Sequence, residues 1–213
     1  MASAVIVCNG EFPRKEYPLY LLRSAGSVIC CDGALSALEK RGIVPDVVIG
    51  DMDSVCPRAL GRFPGKIVKV SEQDDNDLAK AFSYLMSASP LPDEVHILAA
   101  TGLREDHTLG NYGQLMEFEK KYRLQKKGIA VDMVSDRTSA FVISDSCELF
   151  VGEGRSVSIF TPDPSLRIKS SGLEYPTDDV VFDNWWKASL NHAVADSITL
   201  TLSHSAPVLL ILC

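Results

Sequence analysis

Short apolar runs alternate with segments of helical periodicity along the first two thirds of the chain. β-Branched and aliphatic residues predict strands at residues 4–8, 27–31, 47–49, 66–70, 94–99 and 129–134. Between these runs, apolar residues recur three or four positions apart, which predicts helices at residues 35–41, 75–87 and 109–127. This alternation is typical of an α/β fold in which a mainly parallel sheet is covered by helices.

The pattern changes near residue 138, after which strand-like runs follow one another and no helical period is convincing. These runs lie at residues 139–143, 148–151, 156–160, 166–169, 197–202 and 207–212, with turns rich in Gly and Pro between several of them. They predict a smaller antiparallel β-sandwich domain. We therefore expect two domains, residues 1–138 and residues 139–213.

Composition narrows the range of partners. The 213 residues include 28 Asp and Glu against 21 Lys and Arg, a net charge of −7, so we expect no nucleic-acid partner. The apolar run at residues 208–212 is far shorter than the ~20 residues that cross a bilayer, so we interpret it as a buried strand and expect no membrane partner. The six cysteines lack zinc or redox spacing and the first residues lack signal-peptide features, which predicts reduced thiols and a cytoplasmic protein.

Candidate chemistry first occurs after the strand at residues 47–49, where Asp51 and Asp53 stand two residues apart. Parallel α/β sheets bind ligands at the carboxyl ends of their strands. Alternate residues of an extended segment share a face, so both carboxylates can reach one hard cation. An ordinary solvated turn is the alternative interpretation.

A second acidic segment includes Glu72, Asp74, Asp75 and Asp77. Capping of the following helix by Asp74 or Asp75 is the simple interpretation. It does not account for Lys80, which lies three residues after Asp77 on the same helix face and is well placed for a phosphate. Acids this dense repel one another unless a cation lies among them, and an all-oxygen ligand set favours Mg²⁺.

Two further strand ends suggest an anion-binding edge. Thr101-Gly102 begins a glycine turn before a helix, where backbone amides suit an anion, and Arg104 adds a two-pronged donor for phosphate oxygens. Asp32-Gly33-Ala34 completes this edge as part of a candidate nucleotide pocket or, alternatively, as a plain tight turn. For His107, a hydrogen bond to Asp106 at the start of the helix is favoured over a catalytic role.

Together these motifs resemble the thiamine pyrophosphokinase family. They follow the family's order through most of the chain, and the matching residues are Asn9-Gly10, Asp32-Gly33-Ala34, Pro45-Asp46, Gly50-Asp51-Met52-Asp53-Ser54, Gln73-Asp74, Asp77-Leu78, Lys80, Gly102, Arg104, Asp106-His107, Asn111, Ser171-Gly172-Leu173 and Tyr175-Pro176. A single motif of this kind is weak, whereas the ordered set is specific.

The resemblance implies an ATP-dependent diphosphotransferase that converts ATP and thiamine to AMP and thiamine diphosphate. It implies an α/β ATP-binding domain, a β-sandwich domain that helps to bind thiamine, and a homodimer with the active site between subunits. By match to the family's motifs, the catalytic and Mg²⁺-binding residues are Asp51, Asp53, Asp74 and Asp77. The implied nucleotide-binding residues are Asn9, Asp32, Gly33, Lys80, Thr101, Gly102, Arg104, Asp106, His107 and Asn111.

Two positions depart from the family pattern on the thiamine side. The family commonly has Ser before the Asn of a late loop, where Leu190 precedes Asn191 here, and many members end in a Trp that this sequence lacks. We expect Trp185 and Trp186 to offer a replacement face for the thiamine cation, with Ser189 and Asn191 in the same substrate-binding site. Packing inside the sandwich is an equal alternative for the two tryptophans.

Two other functions fit parts of the sequence. A magnesium phosphatase of the haloacid dehalogenase type would use the first Asp after a strand, Asp51, as a covalent nucleophile, but the β-rich last third has no place in such an enzyme. A non-catalytic nucleotide or thiamine sensor would not need the acids together with Lys80 and Arg104. The sequence therefore favours the diphosphotransferase.

Overall fold

The computed structural model describes residues 3–53, 55, 57–70 and 75–213. The chain divides into two compact units, of which the first consists of Met1–Gln114 and Ile129–Asp136 and the second of Leu115–Gly128 and Arg137–Cys213. The domain boundary that we place near residue 138 stays a prediction.

The first unit is built on parallel strands joined by helices. Its strands are β1 (Ser3–Val7), β2 (Ser27–Cys31), β3 (Val47–Gly50), β4 (Lys66–Lys69), β5 (Glu94–Leu98) and β6 (Ala130–Val134). They pair in parallel in the order β6-β5-β1-β2-β3-β4. Its helices include α1 (Glu16–Ser24), α2 (Leu35–Glu39), α3 (Pro57–Arg62) and α4 (Asp77–Met86). The predicted fold class is confirmed, although the periodicity did not single out α1 and α3.

The helix expected at residues 109–127 is wrong in its bounds. Helix α5 (Glu105–Tyr122) begins four residues earlier than expected. It ends before α6 (Leu124–Lys127), because Arg123 between the two helices has a left-handed backbone with φ of 53°. A left-handed residue ends the regular hydrogen-bond pattern of a helix. Apolar spacing continues through this break, so periodicity alone does not reveal it.

Antiparallel strands form the second unit. They are β7 (Ser139–Ile143), β8 (Cys147–Phe150), β9 (Ser156–Phe160), β10 (Ile168–Ser171), β11 (Asn191–His192), β12 (Ser197–Leu202) and β13 (Val208–Leu212). One layer has the order β11-β9-β13-β7 and the other β10-β12-β8. Ile159 and Leu210 of the first layer share a buried apolar cluster with Ile168 and Leu200 of the second. The predicted β-sandwich is confirmed, and β13 is the buried strand expected from its composition.

In the part of the chain that the structure describes, no helix combines the length and the apolar character needed to cross a membrane.

Gly50, the last residue of β3, packs against a buried carboxylate. The register pairs Cys31 of β2 with Ile49 of β3, so Asp32 and Gly50 come next to each other at the ends of their strands. A Cβ atom on Gly50 would lie 2.6 Å from Cγ of Asp32, and the φ of Gly50 is +155°. Oδ2 of Asp32 accepts a hydrogen bond from the backbone N–H of Met52 at 2.8 Å. The absent side chain at position 50 therefore lets Asp32 hold the turn that follows β3.

His96 of β5 lies opposite Asp132 of β6. Its Nδ1 is 2.7 Å from Oδ1 of Asp132, and its Nε2 is 3.7 Å from Oε2 of Glu94. The hydrogen bond to Asp132 raises the pKa of His96, partial burial opposes it, and the charges of Asp132 and Glu94 add to the rise. The folded state thus favours the protonated imidazole.

We predict that Gly50→Ala destabilises the protein by about 1–3 kcal/mol, because the new methyl group collides with Asp32 and the backbone is strained. Gly61→Ala is the matched control, since no described atom outside the adjacent backbone of α3 lies within 4 Å of its Cβ position. That helical site should gain about 0.5–1 kcal/mol. Urea unfolding followed by circular dichroism measures both values, and equal stability of the two variants would contradict the packing of Gly50 against Asp32.

We predict a pH-dependent stability contribution from His96. Because its folded pKa lies above the unfolded value of about 6.5, the contribution is fully present below pH ~6.5 and is lost as pH rises through the folded pKa. The difference in free energy of unfolding between the wild type and His96→Gln should be larger at pH 5.5 than at pH 8.5, as measured by urea unfolding. His192→Gln, at an exposed histidine, is the control. A difference for His96→Gln that is independent of pH would refute the prediction.

Candidate functional site

A cleft of about 500 Å³ opens at the carboxyl ends of β1, β2, β3 and β5 in the first unit. The first turns of α4 and α5 complete its walls. The predicted site residues that line it are Asn9, Asp51, Asp77, Lys80, Gly102, Arg104, His107 and Asn111. Because the carboxyl ends of parallel strands lie along one edge of the sheet, residues that are far apart in sequence meet in this cleft.

Other predicted residues do not line this cleft. They are Asp32, Gly33, Asp53, Thr101 and Asp106. Asp53 is exposed, and its backbone N–H donates to Oδ1 of Asp51 at 3.0 Å, which closes the turn after β3. Asp74 lies outside the residues that the structure describes.

A buried cation faces the carboxylates of the cleft. The Lys80 side chain is 6% exposed, and its Nζ lies 3.6 Å from Oδ1 of Asp77. A buried ammonium group is costly unless an anion compensates it. Asp77 supplies one negative charge, and the open cleft leaves Lys80 within reach of an anionic ligand.

Negative charge is also concentrated at the base of the cleft. Burial raises the pKa of Asp32, and the charges of Asp77 and then Asp51 raise it further, while the N–H groups of Met52 and Gly33 lower it. Crowded carboxylates of this kind favour a bound cation. Among the described residues, however, no three His, Cys, Asp or Glu side chains are grouped closely enough to hold a metal ion.

Asn76 is the cap of α4, a role for which Asp74 or Asp75 is the alternative interpretation of the sequence. Its Oδ1 accepts from the N–H of Ala79 at 2.9 Å, and its Nδ2 donates to Oδ1 of Asn111 at 3.1 Å. Nδ2 of Asn111 in turn donates to the carbonyl of Ala100 at 2.7 Å. This chain fixes α4, α5 and the loop after β5 to one another. An Asn directly before a helix is a good cap, so the sequence contained the signal.

Arg104 and Asp106 form a two-pronged ion pair on the rim of the cleft. Nε and a terminal nitrogen of Arg104 lie 3.1 and 2.5 Å from the two carboxylate oxygens of Asp106. The pair lowers the pKa of Asp106 to about 2. The expected hydrogen bond between His107 and Asp106 at the start of α5 is present, and its donor is the backbone N–H of His107.

Several residues without a predicted site role also line the cleft, among them Cys8, Cys31 and Leu103. Cys8 and Cys31 end the apolar runs of β1 and β2, where their composition indicated only core packing, and their Sγ atoms are 4.0 Å apart. Leu103 is exposed and has a positive φ of 62°. The apolar pattern of the sequence does not reveal that Leu103 has this backbone conformation or lines a cleft.

The predicted thiamine-side tryptophans lie in a turn of the second unit. The ring centroid of Trp185 is 5.8 Å from that of Phe160, so this ring packs partly against the sandwich. Trp186 is 69% exposed. Trp185 therefore packs partly against the sandwich, whereas Trp186 does not pack inside it.

Asn191 and Ser189 are held by contacts within the second unit. Nδ2 of the buried Asn191 donates to the carbonyl of Tyr175 at 2.6 Å, and its Oδ1 accepts from the N–H of Tyr175 at 3.0 Å. Ser189 donates to the carbonyl of Trp186 at 2.7 Å. Asn191 thus fixes the loop that contains Tyr175, while the neighbouring Leu190 is exposed with a φ of 61°.

Comparison with known proteins gives matches over both units. Residues 19–126 match the model of the thiamin pyrophosphokinase catalytic domain, and residues 140–208 match that of the thiamin pyrophosphokinase substrate-binding domain. Thiamine pyrophosphokinase 1 of Oryza sativa subsp. japonica is 27% identical over 207 residues, which cover 84% of this chain and 75% of the rice protein.

Solved structures have the same fold. The crystal structure of thiamine pyrophosphokinase from Bacillus subtilis has a TM-score of 0.77 at 19% identity and covers 99% of this chain and 98% of that one. The structure of thiamin pyrophosphokinase from Candida albicans has a TM-score of 0.77 at 15% identity. The match covers 99% of this chain and 88% of the Candida albicans chain. Because the catalytic-domain model alone matches half of the sequence, this chain belongs to the thiamin pyrophosphokinase family, whose members are ATP-dependent diphosphotransferases that form thiamine diphosphate.

Proposed function

We propose that this chain transfers the β,γ-diphosphate of ATP to the hydroxyl of thiamine in the cleft at the carboxyl ends of β1, β2, β3 and β5. The observation that carries the proposal is the buried Lys80 beside Asp77, facing a cleft that Asp51 also lines. A cation enclosed among carboxylates suits a polyphosphate better than a neutral ligand. These residues lie within the region that matches the family's catalytic domain.

The reaction requires a weak nucleophile to approach a negatively charged phosphate. The thiamine hydroxyl attacks the β-phosphorus of ATP and AMP leaves, so alignment and charge neutralisation supply most of the acceleration. Lys80 binds phosphate oxygens from the wall of the cleft. Arg104 binds other phosphate oxygens from the rim of the cleft. There the phosphate replaces Asp106 as the acceptor, so the guanidinium N–H groups stay hydrogen-bonded. A cleft carboxylate, Asp51 or Asp77, accepts the proton that the hydroxyl loses.

Mg²⁺ is the proposed metal. Asp51 and Asp77, which line the cleft, would hold it together with Asp53 and Asp74, the other two residues that the family resemblance implies. The carboxylates that line the cleft provide only oxygen ligands, which is the donor type that Mg²⁺ prefers. The bound ion would neutralise charge on the phosphates. Asn9 and Asn111 orient the nucleotide through their side-chain amides. The nucleotide also contacts the chain around the start of α5, at Thr101, Gly102 and His107.

We also propose that residues 1–138 form the ATP-binding domain and residues 139–213 the thiamine-binding domain. The exposed Trp186 offers an indole face to the thiazolium cation, which supports the second assignment. The expected cytoplasmic location stays a prediction, supported by the five described cysteines, which are all free of disulfides.

Mass spectrometry of a reaction containing the protein, ATP, Mg²⁺ and thiamine tests the activity. We expect AMP and thiamine diphosphate in equal amounts, and neither product when thiamine is omitted. Phosphate release from an aryl phosphate without ATP would instead identify a phosphatase. Binding of ATP or thiamine without any product would identify a sensor.

We predict that Lys80→Met lowers turnover by at least about a hundredfold, because a preorganised cation near the transferred phosphates is lost. Lys69→Met, at an exposed lysine of β4, is the matched control and should retain turnover. Steady-state kinetics at saturating ATP, with melting temperatures for both variants, make the comparison. Near-normal turnover of a folded Lys80→Met would exclude the proposed phosphate contact.

We predict different effects for the two tryptophans. Trp186→Leu should raise the KM for thiamine roughly five- to thirtyfold, since a cation–π contact is worth about 1–2 kcal/mol, and should leave the KM for ATP unchanged. Trp185→Leu should lower the melting temperature, because its ring packs against Phe160. Both KM values and the melting temperature are measured for each variant. An unchanged KM for thiamine in both variants would show that the tryptophans have only a packing role.

We predict a homodimer with its active site between subunits. Phe150, Trp186 and Leu190 of the second unit are 79%, 69% and 80% exposed, and an interface is the usual cover for large apolar side chains. Sedimentation at the concentrations used for kinetics should give twice the mass of the chain. A monomer with full activity would refute the shared site.

A further inference from the structure

Two thiols meet at the base of the proposed nucleotide cleft. The register pairs Val7 of β1 with Cys30 of β2, so Cys8 and Cys31 are the next neighbours along these parallel strands. Their Sγ atoms are 4.0 Å apart, both residues are buried, and both line the cleft. Neighbouring strands lie about 4.8 Å apart, within the range of Cα separations, about 4.4–6.8 Å, that disulfides span.

We propose that Cys8 and Cys31 form an oxidation site in which a peroxide converts the two thiols to an intramolecular disulfide and thereby blocks the cleft. Each thiol gives up one proton and one electron, an S–S bond forms, and hydrogen peroxide takes up the two protons and two electrons and becomes two molecules of water. A dithiol reductant reverses the change by thiol–disulfide exchange. The loss of activity in this proposal rests on the proposed function of the cleft, whereas formation of the disulfide does not.

Cys30 is not the partner of Cys8, although it adjoins Cys31 in sequence. Successive side chains of a strand point to opposite faces of the sheet. The Cys30 thiol donates to the carbonyl of Cys31 at 3.0 Å and belongs to the apolar core of the first unit, not to the cleft. Cys30 therefore serves as a matched control within the same peptide.

Closure of the disulfide would disturb the residues that follow each strand. The sulfurs must approach from 4.0 Å to about 2.05 Å, the length of an S–S bond. Asn9 and Gly33 follow the two strands and already touch, since a Cβ on Gly33 would lie 2.3 Å from Nδ2 of Asn9. Asp32, which holds the N–H of Met52, lies beside them. The contraction thus acts directly on the base of the cleft.

The experiment treats the full chain with hydrogen peroxide, blocks free thiols with iodoacetamide under non-reducing conditions, and maps tryptic peptides by mass spectrometry. We expect the peptide of Cys8 to be joined to the peptide of Cys30 and Cys31, with a mass two hydrogens below their sum. The cross-link should form in the wild type and in Cys30→Ala, and should be absent from Cys8→Ala and Cys31→Ala. ATP bound during the treatment should slow it, because both sulfurs line the cleft.

Activity is measured on the same samples. Oxidation should lower turnover at least about tenfold in the wild type and Cys30→Ala, with recovery on addition of dithiothreitol. Cys8→Ala and Cys31→Ala, each compared with its own untreated activity, should not respond to peroxide. The exposed Cys213 is the internal reference for oxidation.

Three results would overturn the proposal. The first is no cross-link at a peroxide concentration that fully oxidises Cys213, and the second is a cross-link that persists in Cys31→Ala through Cys30. The third is a complete cross-link with unchanged turnover, which would remove the blocking role. If the chain forms no thiamine diphosphate at all, the proposed function fails, and the cross-link in the four proteins still decides whether the oxidation site exists.

Discussion

The acidic side of the cleft depends on one buried carboxylate, that of Asp32. It is 2% exposed, and burial of a carboxylate is costly unless hydrogen bonds compensate it. The N–H groups of Met52 and Gly33 provide this compensation, and Gly50 leaves the space that the carboxylate occupies. Asp32 therefore fixes the direction in which the chain leaves β3. Because Asp51 follows directly, its place in the cleft is set by a group that does not line the cleft.

The charges around this carboxylate explain why the cleft suits a polyphosphate bound with a cation. Asp77 and Asp51 both raise the pKa of Asp32, so the carboxylates repel one another in the described structure. Lys80 compensates Asp77 at close range. An anionic ligand alone would add to the repulsion, whereas a ligand that arrives with a divalent cation would reduce it. The same balance supports the proposal that Lys80 and Arg104 contact phosphate while the carboxylates contact the cation.

The sequence predicts the parts of the fold and site that follow from short, repeated patterns. Strands such as β2 and β7 have the predicted bounds, because their continuous apolar runs end at polar residues. Strand-end acids such as Asp51 lie at the expected edge of the sheet, since parallel topology alone puts them there. The end of α5 cannot be predicted from apolar spacing, because the left-handed backbone of Arg123 does not change that spacing. The facing thiols of Cys8 and Cys31 depend on the register of β1 and β2, which no local pattern encodes.

The two sides of the proposed reaction differ in how firmly their residues are held. On the nucleotide side, Asn76, Asn111 and the carbonyl of Ala100 form a hydrogen-bonded chain between elements, and Lys80 is buried. On the thiamine side, Asn191 is committed to Tyr175, while Trp186 stays exposed. An exposed indole attracts a cation only weakly, because water screens the interaction. Under the proposed role of Trp186, tight binding of thiamine requires a second surface that excludes water from the indole. The proposed second copy of the chain would supply it by burying the exposed apolar side chains.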